Sequence, residues 1–145
     1  MGMLLIVRLH PLDRERLERR RVLPKFRECP EFGTFTLMAV ADAVITDYSA
    51  ISIEASLIKK PVYFYVYDLE RYKKTRGLNF DPLAEMPHCA FTKAEPLLNS
   101  ILHTPYDYEK LAAFRKEFVE TDDTKNTQRC ASLILDYLNE GVSGA

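Results

Sequence analysis

A short polar turn is the clearest candidate for a ligand site. It begins where an apolar run ends, carries Thr46, Asp47 and Ser49, and leads into a stretch compatible with a helix. The first N–H groups of a helix and the positive end of its dipole favour an anion, and the hydroxyls of Thr46, Ser49 and Ser52 add donors nearby. An anion here would meet hydroxyls and backbone N–H groups, because the turn has no glycine-rich phosphate signature. Asp47 or Ser49 could instead simply cap the helix, and such caps are common.

Glu54 is the second candidate, about one helical turn beyond the polar turn. On a helical wheel the residues of one broad apolar arc are Ala50, Ile51, Ile53, Ala55, Leu57 and Ile58, and those of the opposite side are Ser49, Ser52, Ser56, Lys59 and Lys60. Glu54 falls near the middle of the apolar arc. A buried carboxylate needs a partner, because an unpaired buried charge is costly. A ribose diol of a ligand and an arginine or backbone amide of the protein fit this requirement equally well.

Arg8 and His10 follow another apolar run. Residues 3–9 are predicted to form a buried strand that Pro11 ends. His10 titrates near neutrality and therefore suits phosphate contact or acid–base work, but a histidine bonded to the backbone at a strand end fits as well. Ligands of open α/β sheets bind beyond the carboxyl ends of the strands, so both polar segments are predicted to lie at one edge.

The elements that position these residues alternate between strands and helices. Residues 50–60 are predicted to form a helix that Pro61 ends, and residues 62–66 the strand that follows it. This βαβ unit implies a right-handed crossover in a parallel sheet. Further strands are predicted at 43–46 and 89–91, helices at 36–41, 93–102, 107–119 and 127–138, and a loop-rich segment at 67–87. The pattern indicates a Rossmann-like, doubly wound α/β domain.

Composition and charge exclude several functional classes. The 145 residues suit one domain, and a hydrophobic content of 47% suffices for its core. A net charge of -1, without an aromatic–basic pattern, argues against nucleic-acid binding. No apolar run reaches the roughly 18 residues of a membrane span, and the first residues do not resemble a signal peptide. Three widely spaced cysteines fit neither a disulfide framework nor a zinc site, and they favour reduced thiols in the cytoplasm. The sequence requires no metal, and we expect no cofactor.

Several segments together resemble one family. In order they are Arg8-Leu9-His10-Pro11, residues 41–49 (ADAVITDYS), residues 60–65 (KPVYFY), residues 67–70 (YDLE) with Tyr72, and Arg76-Gly77. This series is similar to the C-terminal half of the CDP-glycerol glycerophosphotransferase family, the teichoic-acid primases and polymerases. The resemblance covers residues 4–82, with a weaker echo at Asp122, Asp123, Thr127 and Arg129.

The resemblance implies a GT-B fold, in which two Rossmann-like halves enclose the active site. Residues 1–145 would then be a single domain that binds the CDP moiety, and an N-terminal half or a second copy of the chain would complete the site. His10 would be the catalytic histidine at the donor pyrophosphate. Ser49 and the helix start would hold phosphate, and Glu54 would contact the ribose. Ala50 stands where a second serine is common in the family.

The implied reaction moves glycerol phosphate, or a similar polyol phosphate, from a CDP-activated donor to a hydroxyl of a lipid-linked or polymeric acceptor. The family works peripherally at the inner face of the cell membrane, and we expect the chain alone to bind CDP weakly without turnover. Two alternatives stay open: a glycosyltransferase that uses a nucleotide sugar, and a non-catalytic nucleotide-binding or docking module.

Overall fold

The computed structural model describes residues 3–9, 15, 27–119 and 124–142. Its contacts divide the chain into two compact units, Met1–Ala43 and Val44–Ala145. The elements in chain order are α1 (Thr34–Val40), β1 (Val44–Thr46), α2 (Ile51–Leu57), β2 (Val62–Tyr65), α3 (Leu69–Arg76), α4 (Pro82–Glu85), β3 (Ala90–Phe91), α5 (Ala94–His103), α6 (Tyr108–Phe118) and α7 (Asn126–Val142). The single nucleotide-binding domain over residues 1–145 stays a prediction.

In the N-terminal unit, the first apolar run forms one bridge and no regular strand. Ile6 pairs in parallel with Arg27, whose carbonyl accepts a hydrogen bond from the Val7 amide at 3.0 Å. Leu4 and Leu5 are 64% and 62% exposed. The prediction of a buried strand over residues 3–9 is therefore wrong, because one short neighbour among the described residues does not cover both faces of the run.

Three parallel strands form the sheet of the second unit, in the order β1-β2-β3. Val44 lies opposite Val62 in the first pair, and Tyr65 lies opposite Phe91 in the second. β2 is the central strand, and its Val62 and Phe64 are fully buried. A continuous apolar run is what a parallel strand covered on both faces requires. The predicted α/β class with a parallel sheet is confirmed.

The connection between β1 and β2 contains α2, which ends earlier than predicted. The Lys59 amide donates to the Ser56 carbonyl at 3.0 Å, and the Lys60 amide donates to the Ala55 carbonyl at 2.9 Å. Lys59 has a φ of 55°, in the left-handed region. This pair of bonds closes a helix through a left-handed residue just beyond its last turn. The helix therefore stops at Leu57, ahead of the predicted stop at Pro61.

The buried face of α2 consists of small residues. Ser52 and Ser56 are each 1% exposed, Ala55 is fully buried, and this face packs against α6 and the sheet. Leu57 and Ile58 are 45% and 48% exposed. Of the predicted apolar arc, Ala55 alone is buried, and the rest of the buried face is Ser52 and Ser56, which the wheel placed on the opposite side. Small side chains let two packed elements approach closely. The helix therefore turns its small residues towards α6 and the sheet, and its larger hydrophobic residues away from them.

The segment 67–87, predicted to be rich in loops, contains two helices. The charged α3 ends at Gly77, which has a φ of 75° and suits glycine. At α4, the Asp81 carboxylate accepts from the Leu83 amide at 3.0 Å, and Pro82 occupies the first helical turn. These are ordinary start and stop features of helices. Gly77 and Pro82 mark the end of one helix and the start of the next within this segment.

A phenylalanine cluster joins β2 to α6. The Phe64 ring lies 5.6 Å from Phe80 and 6.2 Å from Phe114, both edge-on. Phe118 adds a fourth ring, 4.8 Å from Phe114. Edge-to-face aromatic pairs add stability beyond the area they bury. In this phenylalanine cluster, Phe64 and Phe114 are buried in the core, and Phe80 and Phe118 are half-buried beside them.

The predicted helices at 93–102, 107–119 and 127–138 are confirmed as α5, α6 and α7. α6 begins at a capping carboxylate, since Asp107 accepts from the Lys110 amide at 3.0 Å. On α7 the apolar side chains Leu133, Ile134 and Leu138 are all more than half exposed.

His88 is the unusual titratable residue of the core. It precedes β3, at the amino ends of the strands, and its ring lies edge-on to Tyr106 with centroids 6.0 Å apart. Both ring nitrogens are buried, and neither has a hydrogen-bond partner among the residues that the structure describes. Burial lowers the pKa of His88; a weaker effect of Asp107 opposes this shift, and Lys110 reinforces it.

This burial makes the chain's stability depend on pH. The pKa of His88 is lower in the folded chain than in the unfolded chain, so acid favours the unfolded state, which binds the proton more tightly. We expect the free energy of unfolding, measured with urea, to be constant above about pH 6.5 and to fall below it. His88→Gln should remove the part of this slope between about pH 6.5 and pH 5, above the range in which carboxylates with a lowered pKa such as Asp68 titrate. The exposed control His103→Gln should keep it. An unchanged slope in His88→Gln would contradict the prediction.

Candidate functional site

The candidate site is the edge where β1 and β2 end. Thr46 and Phe64 lie opposite each other in the parallel register, so the turn after β1 and the loop after β2 leave the sheet side by side. The Tyr48 hydroxyl joins them, because it donates to Asp68 Oδ1 at 3.0 Å. This is the carboxyl edge of the sheet, at which ligands of open α/β sheets bind.

Ser49 organises the start of α2. Its Oγ accepts from the Ile51 amide at 3.4 Å, a long bond. Its carbonyl accepts from the Ser52 amide at 3.3 Å and from the Ser52 hydroxyl at 3.0 Å. Ala50 directly precedes the helix and contributes no capping side chain. Ser49 therefore caps the helix weakly, and its exposed hydroxyl lies at the surface, where a ligand can reach it.

The other hydroxyls and carboxylates of the turn differ in exposure. Thr46 is half-buried at the end of β1, and Asp47 is exposed. Ser52 is only 1% exposed and its hydroxyl is bonded to Ser49. This burial suits Ser52 to shaping the turn from behind, and suits Ser49 and Asp47 to meeting a ligand.

Glu54 lies in the first turn of α2. Its side chain is half-buried, and its carboxylate has no hydrogen-bond or ion-pair partner among the described residues. The sequence left open an arginine or a backbone amide as the partner of this carboxylate. Among the described residues, neither bonds to it. The carboxylate is therefore compatible with the other alternative, a ligand that donates hydroxyls.

A group of side chains at the start of α3 supports the edge. The sequence placed Asp68 and Tyr72 in the family pattern without a role, and did not single out Arg71. Arg71 Nη2 donates to Asp68 Oδ2 at 2.6 Å, and the Tyr72 ring stacks on Tyr48 with centroids 3.7 Å apart. The bond from Arg71, and then that from Tyr48, lowers the pKa of Asp68. Burial, followed by the bond to Asp68, raises the pKa of Tyr48. Asp68 is therefore an ionised acceptor and Tyr48 a protonated donor across the neutral range.

The second predicted polar segment is only partly described. Arg8 belongs to the N-terminal unit, where its Nη1 donates to the Cys29 carbonyl at 3.4 Å. His10 lies outside the described residues, as do Asp122 and Asp123. Arg129 lies on α7 and donates to the Asn126 side chain. The predicted proximity of Arg8 and His10 to the polar turn stays a prediction.

The described residues contain no group of three or more histidine, cysteine or acidic side chains placed to hold a metal ion. Within the same ranges, none of the helices combines the length and hydropathy needed to cross a bilayer.

Known proteins similar to this chain are enzymes of teichoic acid synthesis. The model of the family "CDP-Glycerol:Poly(glycerophosphate) glycerophosphotransferase" matches residues 2–136. The teichoic acid glycerol-phosphate primase of Bacillus subtilis (strain 168) is 32% identical over 135 residues, which are 93% of this chain and 35% of that protein. The teichoic acid ribitol-phosphate primase of Bacillus spizizenii is 33% identical over 113 residues, 77% of this chain and 29% of that protein. The chain thus spans about a third of the length of these curated relatives.

Solved structures give the same result for the fold. The wall teichoic acid polymerase TagF superposes with a TM-score of 0.62 at 24% identity, over 96% of this chain and 36% of that chain. A variant of that polymerase soaked with CDPG gives a TM-score of 0.60, also at 24% identity, over the same shares of the two chains. At this identity the superposition establishes the fold, which is that of the polymerase segment it covers.

Proposed function

Because this chain belongs to the CDP-glycerol:poly(glycerophosphate) glycerophosphotransferase family, we propose that it binds a CDP-activated polyol phosphate donor for a transferase of cell-wall teichoic acid synthesis. The observation that carries the proposal is the family match over residues 2–136, combined with a polar turn at the carboxyl edge of the sheet. The relatives include both glycerol-phosphate and ribitol-phosphate primases. The class of donor is therefore a CDP-linked polyol phosphate, and glycerol is the polyol that the family description favours.

In this proposal the turn holds the donor diphosphate. The Ser49 hydroxyl and the N–H groups at the start of α2 supply donors to phosphate oxygens, aided by the positive end of the helix. Thr46 and Asp47 border the same turn, and Ser52 holds its shape from within. Glu54, about one turn further along α2, accepts hydrogen bonds from the ribose hydroxyls.

The proposed transfer is an in-line displacement at phosphorus. An acceptor hydroxyl attacks the phosphorus that carries the polyol, the bond from that phosphorus to the bridging oxygen breaks, and CMP leaves. The attacking hydroxyl loses its proton. Positioning and electrostatic stabilisation account for most catalysis in such reactions. By family resemblance, we assign His10 to the donor pyrophosphate as an electrostatic or acid–base participant, with Arg8 near it.

The acceptor and the setting of the reaction belong to the same proposal. The acceptor is a lipid-linked or polymeric polyol phosphate, and the enzyme works peripherally at the inner face of the membrane. A further region of a longer protein, or a second copy of this chain, supplies the acceptor side. A glycosyltransferase that uses a nucleotide sugar is the alternative, and base selectivity distinguishes the two.

Calorimetric titration of the chain with CDP, UDP and CMP tests the proposal. We expect CDP to bind more tightly than UDP, and Ser49→Ala and Glu54→Ala each to weaken CDP binding about 5- to 10-fold, as the loss of one hydrogen bond predicts. Ser132→Ala, an exposed serine on α7, is the matched control and should leave the affinity unchanged.

Two results would count against the proposal. Stronger binding of UDP than of CDP would favour the nucleotide-sugar alternative. Equal affinity of the chain and both site variants for CDP would place the nucleotide away from the turn.

A further inference from the structure

Tyr48 is held at both ends of its side chain. Its hydroxyl donates to Asp68 Oδ1 at 3.0 Å, and its ring stacks on Tyr72 at 3.7 Å with an angle of 21° between the planes. Tyr48 lies in the turn after β1, whereas Asp68 and Tyr72 belong to the start of α3. The contacts therefore join the candidate donor turn to a different element of the same unit.

The acceptor in this contact is itself fixed. Arg71 occupies the second carboxylate oxygen of Asp68 at 2.6 Å, so both oxygens are engaged and the carboxylate cannot rotate without losing a bond. The Asp68 side chain is 19% exposed, which shields its bonds from water. α3 is in turn tied to α4, since Lys73 Nζ lies 2.5 Å from Asp81 Oδ2. Tyr48 is thus bonded to a braced element.

The turn has few other restraints of its own. The bond from the Ile51 amide to Ser49 Oγ is long, at 3.4 Å, and the other hydrogen bonds of Ser49 run to Ser52 within the same helix start. Asp47, Ser49 and Ala50 are all exposed. Thr46, which is paired with Phe64, and the buried Ser52 fix the two ends of the turn, whereas the exposed residues between them have only these local contacts. Tyr48 adds a long-range restraint from within the turn itself, across 20 residues of sequence.

We propose that Tyr48 and Asp68 form a clamp, braced by Arg71 and Tyr72, which holds the turn after β1 in the geometry that binds the donor diphosphate. Tyr48 is a positioning residue in this assignment, because its hydroxyl is engaged with Asp68 and acts through the backbone of Ser49. The consequence for the donor rests on the proposed function, whereas the clamp itself is a property of the fold. Pre-organised donors bind an anion more tightly than donors that must first be ordered.

Tyr48→Phe tests the clamp, because it removes the hydroxyl and keeps the stacked ring. Amide hydrogen exchange at Ile51 and Ser52 reports the opening of the turn, and exchange at Val62 and Phe64 reports the core. We expect exchange at the turn to become about fivefold faster in the variant, as loss of one hydrogen bond predicts, with the core amides unchanged. CDP affinity should weaken by a similar factor. Tyr137→Phe on α7, whose ring is 79% exposed, is the matched control.

Asp68→Asn and Asp68→Ala provide the second comparison. Asparagine retains an acceptor for the Tyr48 hydroxyl, so its turn should exchange more slowly than that of the alanine variant. Unchanged exchange at the turn in Tyr48→Phe, or equal acceleration at turn and core, would overturn the clamp. Faster exchange at the turn in a chain that binds no nucleotide would uphold the clamp and count against the proposed function. If Tyr48→Phe left both the exchange at the turn and the affinity for CDP unchanged, the clamp would be overturned and the proposed function would be supported.

Discussion

Phe64→Ala is expected to lower the free energy of unfolding by about 3 to 5 kcal/mol, the usual cost of removing a buried phenyl ring. Phe64 is fully buried in the central strand, and its ring contacts two other rings of the phenylalanine cluster. Alanine would leave a cavity between β2 and α6, and these packed elements cannot move together far enough to close it. A domain of this size has a total stability of only about 5 to 15 kcal/mol, so the variant should be near its unfolding threshold.

The measurement is urea unfolding followed by far-ultraviolet circular dichroism. Phe35→Ala, the same substitution at a side chain that is 63% exposed on α1, is the matched control and should change stability by less than about 0.5 kcal/mol. If Phe64→Ala and Phe35→Ala lowered the free energy of unfolding equally, the phenylalanine cluster would not be a main part of the core.

Ala55→Leu is expected to destabilise the chain by about 1 to 3 kcal/mol through overpacking. Ala55 is fully buried on the face of α2 that packs against α6 and the sheet. The additional methyl groups have no space unless α2 moves away from α6. Because α2 carries Glu54 and begins at the candidate turn, the same variant should also weaken CDP binding if the proposed site is correct.

Ala131→Leu separates packing from helix propensity. Ala131 lies on the long helix α7 and is exposed, so leucine there changes composition without filling a packed interface. Thermal unfolding of both variants is the measurement. A stable Ala55→Leu variant would show that the space between α2 and α6 adapts to a larger side chain, contrary to the close packing described for Ser52, Ala55 and Ser56.

The sequence predicted the parallel α/β class because β1, β2 and the helices have clear periodicity and clear breaks. It failed where burial depends on partners distant in sequence. The wheel of α2 placed Leu57 and Ile58 on the buried side with Ala55. The fold exposes both and instead buries Ser52 and Ser56 beside Ala55, on the face that packs against α6. The run at residues 3–9 has the composition of a buried strand, yet Leu4 and Leu5 are exposed in the described chain.

The candidate site was predicted in part. The turn residues Thr46, Asp47 and Ser49 lie at the carboxyl edge of the sheet, where the pattern placed them, and Glu54 follows on α2. The role of Asp68 was missed, because residues 67–87 were predicted to be rich in loops and Asp68 entered only as part of the family pattern. Its acceptance of the Tyr48 hydroxyl depends on the parallel register of β1 and β2, which no local pattern reveals.

The small-residue face of α2 also matters while the chain is being synthesised. A ribosome completes α2 about 60 residues before it completes α6, the element that covers this face. At about 5 to 20 residues per second, the nascent chain carries the uncovered helix for several seconds. Serine and alanine expose little hydrophobic surface during that interval, so a face suited to close packing in the finished protein also limits association of the unfinished chain.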